Sequence, residues 1–264
     1  MDLAPAHAAV IARPRDDAPR ARFADVVAQA EPETATFIRA QLDIASRRRQ
    51  SGRRDRAIEM AAHRCAVAPA SHDARGVHAL RRLLHGSLPE WAQRIGYGRG
   101  FAERVVVDAA WFAAGGAELT ALAPVLDVSV FNSPCDPVEL FNAQAWSHVR
   151  SLRFLGPTLQ LRSLHALVRS PFLSRLAVLD VSFAGLPEEA IHLIASSAAL
   201  PGLRYVLAQH NAFPDINRSV DEQDGARYGE RNSAFAEDLA LRYGPLPWLN
   251  GIPSELEPES ESFK

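Results

Sequence analysis

The chain has 264 residues, a formal net charge of -2 and a hydrophobic fraction of 47%. This composition excludes an intrinsically disordered or collagen-like chain, and no apolar run approaches the ~20 residues of a membrane-spanning helix. The charge is unevenly distributed, because residues 1–104 hold 18 arginines and 12 acidic residues (+6) whereas residues 105–264 carry -8.

The first fifty residues predict three short helices. Pro14 ends the first, Asp17 is the predicted N-cap of the second, and Pro19 lies in its first turn, where a missing N–H is tolerated. Pro32 opens the third helix. Its apolar positions recur at helical spacing at Phe37, Ile38, Leu42 and Ala45.

These helices carry three short motifs, Asp17-Ala18-Pro19-Arg20, Phe23-Ala24-Asp25 and Phe37-Ile38-Arg39-Ala40-Gln41. Their order resembles the bacterial repeat-companion domain, a helical module found upstream of leucine-rich repeats in many proteins. The chain departs from the family pattern at Val26, where the family has Trp, and at Ala30-Glu31-Pro32, where the family has a Gly-Asp turn. The resemblance covers about residues 5–46 and implies repeats downstream, but it implies no activity.

Residues 47–56 form an arginine-rich run that we interpret as a solvated helix end and linker. No aromatic residues are interleaved for base stacking, so the run does not favour a nucleic-acid partner. Residues 57–95 predict an irregular helical segment. Residues 96–100 lack the spacing of a dinucleotide fingerprint and predict a turn before a strand at 105–107.

After a helix through Trp111, Phe112 and Leu119, apolar residues recur at a spacing of 27. Leu173, Leu176, Leu179 and Val181 recur as Leu200, Leu203, Val206 and Ala208, and earlier as Trp146, Val149, Leu152 and Phe154. A further step of 26 reaches Ala123, Leu126 and Val128. This frame is typical of the strand of a leucine-rich repeat. Asn211 falls where the repeat consensus places its turn Asn, which earlier copies lack.

Strand side chains alternate, so the neighbours of the inward residues predict the exposed strand face. The predicted binding residues are Asp127, Ser129, Arg153, Leu155, Asp180, Ser182, Tyr205, Leu207 and Gln209. Asp127, Arg153 and Asp180 would form an acid–base–acid row, with Tyr205 and Leu207 as apolar anchors. The alternative is a surface ladder whose charges satisfy one another without a partner.

Other candidate groups do not complete a recognised site. Cys65 and Cys135 form neither a disulfide framework nor a zinc spacing. His165 and His192 share the repeat spacing and are predicted to lie on neighbouring helices without a third ligand. The segment Asp215-x-Asn217-x-Ser219-x-Asp221 begins like a calcium loop but has Val220 and Ala226 where Gly and Glu are required. We therefore predict no metal and no cofactor.

The sequence thus predicts an α/β leucine-rich-repeat solenoid of ribonuclease-inhibitor-like type, with parallel strands on the concave face and helices on the convex face. Predicted segments are a helical module (1–50), a linker and docking segment (51–98), capped repeats (99–250) and a disordered acidic tail (251–264). With no secretory signal in residues 1–10, we expect a cytoplasmic protein.

The predicted function is non-catalytic binding of a protein or peptide by an adaptor, regulator or pathway accessory, with no membrane partner. Besides the concave face, the polar loop at 212–233 could make the main contact. The alternative is an accessory or cryptic enzyme acting on a peptide or small molecule. Its site would lie where the N-terminal helices meet the repeats, using Cys65, His72, Asp73 or His78.

Overall fold

A computed structural model describes residues 3–51, 95–131, 136–155, 159–214, 216 and 233–249. Within these ranges the protein is a mixed α/β structure with eight α-helices and six strands. The strands belong to one sheet and follow one another in chain order. No helix in the described ranges is long and apolar enough to cross a membrane. The chain divides into two compact units, one of residues up to 107 with 115–127, the other of 108–114 with residues from 128 onward.

The first unit begins with three helices, α1 (Ala4–Ala12), α2 (Asp17–Val27) and α3 (Pro32–Ser51). Pro32 opens α3 as the sequence predicted. The predicted N-cap of α2 was wrong by one residue, because the Asp16 side chain accepts a hydrogen bond from the Ala18 N–H (2.9 Å). Asp16 has the extended backbone of a cap residue, whereas Asp17 is already helical.

The core of the first unit joins these helices to a β-hairpin. The hairpin consists of β1 (Ile95–Gly98) and β2 (Phe101–Asp108), which pair antiparallel, so Ile95 lies in a strand rather than at the end of the predicted helical segment. The rest of that segment lies outside the described residues. The buried core members are Val10, Phe23, Ala24, Val27, Ala35, Phe37, Ile38 and Phe101.

Two side chains from the helical motifs bind the turn of this hairpin. The Arg20 guanidinium donates to the carbonyl oxygens of Gly98 (3.1 Å) and Arg99 (3.3 Å). The Gln41 side-chain oxygen accepts from the Gly100 N–H (2.8 Å). Three consecutive turn residues are therefore held by one side chain from α2 and one from α3, which satisfies backbone groups that a tight turn leaves unpaired.

A buried ion network surrounds Arg20. Its Nη2 lies 2.5 Å from Glu103 Oε1, which also accepts from Arg99 Nη2 (2.7 Å). Arg99 in turn reaches Asp17 (3.3 Å). Burial lowers the pKa of Arg20 to about 10, and Glu103 opposes that change. Burial likewise raises the pKa of Glu103, opposed chiefly by Arg20 and then by Arg99.

The remaining elements are α4 (Ala109–Leu122), β3 (Asp127–Phe131), α5 (Pro137–Phe141), β4 (Ser151–Phe154), α6 (Leu161–Leu167), β5 (Val178–Asp180), α7 (Glu189–Ala195), β6 (Tyr205–Leu207) and α8 (Ser233–Tyr243). Short 3₁₀ turns occupy Gln144–His148 and Pro247–Leu249. Strand 105–107 and the helix after it match the sequence prediction.

In the second unit, strands β4, β5 and β6 are parallel and in the predicted register. Leu152 pairs with Leu179, and Leu179 pairs with Val206, so each step along the sheet equals the repeat spacing of the sequence. These three side chains are all fully buried. The apolar frame therefore marks the inward face, because strand residues alternate between faces.

The same spacing recurs away from the strands. Ser170 Oγ donates to the Phe141 carbonyl (2.5 Å), and Ser197 Oγ donates to the Val168 carbonyl (2.6 Å). The two donors are separated by the repeat spacing, and so are the two acceptors. Within the second unit, successive sequence repeats are therefore joined by equivalent hydrogen bonds at the ends of their helices as well as along the sheet.

The step from β3 to β4 differs from the prediction of 26. The Leu155 N–H donates to the Val130 carbonyl (2.8 Å). In a parallel pair this bond places Val130 opposite Phe154, a step of 24, and hence places Ser129 opposite Arg153. The predicted row of Asp127, Arg153 and Asp180 is therefore wrong at its first member.

Candidate binding surface

Four side chains form a row across β3 to β6, which we call the central row: Ser129, Arg153, Asp180 and Leu207. Each is partly exposed, whereas the residues on the opposite face of the same strands are buried. The alternation arises because neighbouring strand residues point to opposite faces. A second row follows two residues later: Phe131, Leu155, Ser182 and Gln209.

The charges of the central row are paired within the protein. Arg153 Nε lies 2.8 Å from Asp180 Oδ2, with side-chain exposures of 27% and 13%. The other carboxylate oxygen of Asp180 accepts from the Ser182 N–H (3.0 Å). A partly exposed pair of this kind contributes up to ~1 kcal/mol of stability. The row therefore presents a neutral surface, because its acid and its base bind each other.

Two of the predicted binding residues lie below the surface. Tyr205 is 3% exposed and Ser182 is 8% exposed. The Ser182 hydroxyl oxygen accepts from the Gln209 N–H (3.2 Å), so it bonds within the sheet. Tyr205 was predicted to be a surface anchor, and that prediction was wrong because its side chain is buried. Tyr205 pairs with Val178, which pairs with Ser151, and all three are buried two residues before the central row. Arg153, Leu155, Leu207 and Gln209 keep partial exposure.

The turn after β6 is organised by Asn211, as its place in the repeat frame predicted. Its Oδ1 accepts from the Leu186 N–H (2.9 Å), and its Nδ2 donates to the carbonyls of Val181 (3.0 Å) and Ala208 (2.9 Å). One side chain thus bonds to backbone groups of two successive sequence repeats, both within the second unit. This fixes the end of the strand face at the carboxyl end of β6.

Sequence reasoning missed an aromatic pair at the same end of the strands. Phe183 and His210 have ring centroids 4.3 Å apart and planes 19° apart, a stacked arrangement. Phe183 is 60% exposed. The available signal was the repeat spacing between these two ring-bearing residues, each of which comes three places after a strand residue of the central row.

The predicted histidine pair lies on α6 and α7. His165 Nε2 lies 3.8 Å from Glu189, and His192 Nε2 lies 3.6 Å from Glu188. The Tyr243 hydroxyl lies 3.1 Å from His192 Nδ1. In the part of the chain that the structure describes, no group of three or more His, Cys, Asp and Glu side chains is placed to hold a metal ion.

The residues of the enzyme alternative, Cys65, His72, Asp73 and His78, lie outside the described residues, as do Cys135 and the acidic tail. Most of the 212–233 loop, including the calcium-like segment apart from Ile216, lies outside them too. These predictions stay predictions. Comparisons of the chain with protein-family models, with curated proteins and with solved structures give no match.

Proposed function

We propose that this protein is a leucine-rich-repeat solenoid preceded by a repeat-companion module, and that it binds a protein or peptide through its strand face without catalysing a reaction. The recurrence of strand pairs and of serine hydrogen bonds at one common spacing supports the repeat assignment. Repeats of this type place a strand and a helix in each unit, and insertions or exposed side chains at one face provide binding.

The observation that carries the binding proposal is the central row. It combines an internally neutralised ion pair, Arg153 and Asp180, with the partly exposed apolar Leu207 and the polar Ser129. Mixed polar and apolar surface held on rigid strands suits a protein interface, because contact residues need fixed positions. The row spans four strands, so the partner would bury a modest area, at the lower end of specific interfaces.

Such a surface suits an adaptor, a regulator or an accessory factor of a pathway. Because the charges of the row are already paired, apolar contacts and neutral hydrogen bonds would supply the affinity. A net long-range electrostatic attraction from the row would be weak, so association would depend little on salt.

The test is a tagged pull-down from the native cell lysate, followed by titration calorimetry with each purified candidate partner. Wild type is compared with an Arg153→Glu/Leu207→Glu variant of the central row. The matched control is Arg162→Glu/Leu241→Glu, which makes the same changes at exposed positions of α6 and α8. Thermal melting of all three proteins checks that each is folded.

We expect the row variant to lose a partner that wild type and the control retain. Equal binding by all three proteins would place the contact elsewhere, such as on the 212–233 loop. Absence of any specific partner of wild type would contradict the binding proposal and make the enzyme alternative the hypothesis to test.

A further inference from the structure

The stacked rings of Phe183 and His210 follow from the strand register. The Phe183 N–H donates to the Gln209 carbonyl (2.9 Å), which places Phe183 directly opposite His210. Each residue immediately follows a member of the second row, Ser182 or Gln209. The aromatic pair therefore lies directly beyond the carboxyl ends of β5 and β6, next in the chain to the second row.

Both residues have a left-handed backbone conformation, which residues other than glycine rarely adopt. Phe183 has φ of +60° and His210 has φ of +56°. Left-handed backbone is unfavourable for a residue with a Cβ atom, and asparagine or glycine tolerates it better. The stabilisation that a stacked aromatic pair provides is no larger than this cost. The fold itself therefore gains little from phenylalanine at position 183.

Exposure adds to this cost. The Phe183 side chain is 60% exposed, and its only described ring contact is with His210. The equivalent place in the preceding unit of the sequence is Gly156, which carries no ring to continue the stack. Strained backbone combined with an exposed aromatic ring is typical of a position kept for binding rather than for stability.

We propose that Phe183 and His210 form the aromatic anchor of the binding surface and stack against an aromatic side chain of an extended peptide segment. This inference rests on the proposed binding function and names the chemistry of the partner. Flat ring faces favour another ring by offset stacking. The Arg153–Asp180 pair of the central row is internally neutralised, which favours an uncharged partner group over a cation or an anion. Aromatic residues also dominate the energy of small interfaces, because they bury much area with few rotatable bonds.

The test uses a phage-displayed library of random dodecapeptides selected against the full-length protein. Selections are run in parallel on wild type, on Phe183→Asn, and on Leu241→Asn, which replaces an 86% exposed apolar residue of α8. Peptides enriched on wild type are then synthesised and titrated against all three proteins by fluorescence anisotropy. Thermal unfolding of each protein is measured alongside.

We expect wild type and Leu241→Asn to enrich peptides with a Trp, Tyr or Phe at one fixed position. Phe183→Asn should bind these peptides about tenfold more weakly, as loss of an aromatic anchor does. Its melting temperature should be equal to or above that of wild type, because asparagine suits the left-handed backbone. Loss of affinity without loss of stability separates a binding role from a structural one.

Enrichment of peptides without an aromatic preference would overturn this inference. So would peptides whose affinity is unchanged in Phe183→Asn but lost in Arg153→Glu/Leu207→Glu, and that second result would leave the proposed binding function standing. If wild type enriches no peptide although the lysate experiment yields a partner that Phe183→Asn still binds, the aromatic anchor is again wrong. If neither experiment yields a partner, both proposals fail together.

Discussion

The Arg20 guanidinium and the Glu103 carboxylate form a buried ion pair that joins α2 to the second strand of the hairpin, with Nη2 and Oε1 2.5 Å apart. The Arg20 side chain is fully buried, and its Nη atoms also donate to the carbonyls of Pro14, Gly98 and Arg99. A charge in this position is stable only with its partners in place. The motif arginine of the helical module thus has a structural role within its own unit.

Replacing Arg20 by alanine should destabilise the protein by ~3–5 kcal/mol, because Glu103 would remain buried without its main partner. Chemical denaturation followed by circular dichroism measures this change. Arg22→Ala, at an exposed position of α2, is the control and should change stability by less than ~0.5 kcal/mol. A double variant, Arg20→Met/Glu103→Leu, should recover only part of the loss, since the carbonyls that Arg20 binds would still lack that donor and Arg99 would lose Glu103. Equal stability of Arg20→Ala and wild type would contradict the assigned role.

Gly100 should tolerate no side chain. Its φ is +85°, and a Cβ atom there would lie 2.7 Å from the Ile38 Cα. We expect Gly100→Ala to cost both the backbone strain of about 1 kcal/mol and a further ~1–3 kcal/mol for displacing α3. Gly185→Ala is the matched control, because its φ is +66° but no atom lies within 4 Å of the added carbon. If the two variants were equally stable, close approach of α3 to the turn would not be the reason for Gly100.

Asn211→Ala should lower the free energy of unfolding by about 2 kcal/mol, because three backbone groups in two successive sequence repeats lose their partner. Asn211→Asp should be no better, since a carboxylate would face the carbonyl oxygens of Val181 and Ala208. Urea denaturation measures both variants. The same alanine substitution at the exposed Asn142 serves as control, with an expected change below ~0.5 kcal/mol. A loss for Asn142→Ala as large as for Asn211→Ala would refute the explanation.

Stability should depend on the protonation of His7. Burial lowers the pKa of His7 below its ordinary value of 6.5, and its ring packs beside Phe23 and Phe101. The unfolded chain therefore takes up this proton first as the pH falls, so titration of His7 costs no stability above pH 6.5 and lowers stability below it. His7→Phe should show a smaller drop in melting temperature between pH 7.5 and pH 5 (about one pH unit above and 1.5 below the ordinary pKa).

A residual pH dependence should persist in that variant from His148, whose pKa is lowered by burial and by Arg175. The double variant His7→Phe/His148→Phe should therefore be flatter still over the same range. An equal drop in melting temperature between the two pH values for wild type and His7→Phe would show that His7 titrates alike in the folded and unfolded chain.

The sequence was sufficient for the register of β4 to β6, because one apolar frame set both the length of the unit and the buried face. It was not sufficient for the step from β3 to β4. The predicted and observed steps differ by two, and a shift of two leaves every side chain on the same face. Alternation of apolar residues therefore could not distinguish Ser129 from Asp127 opposite Arg153. The backbone hydrogen bond of Leu155 was needed to do so.

The limits at the candidate site have a similar origin. Strand alternation places Tyr205 on the same face as Leu207, but it does not show how far each lies from the surface. The ion pair of Arg153 and Asp180 was foreseen as a row, since both follow inward leucines at equal spacing. Burial of Arg20 was not foreseen, because its partner Glu103 is distant in the chain and charged residues are seldom buried.

In the second unit, the side-chain hydrogen bonds between neighbouring sequence repeats connect residues only 25 to 30 positions apart. A unit can therefore complete its strand, turn and helix contacts as soon as the unit that follows it has been synthesised. The growing chain would add structure stepwise behind the ribosome, each newly emerged strand using the previous one as its template. The ion pair of Arg20 and Glu103 forms between residues much farther apart in the chain. The Arg20 guanidinium of α2 can pair with Glu103 only after the hairpin has been synthesised.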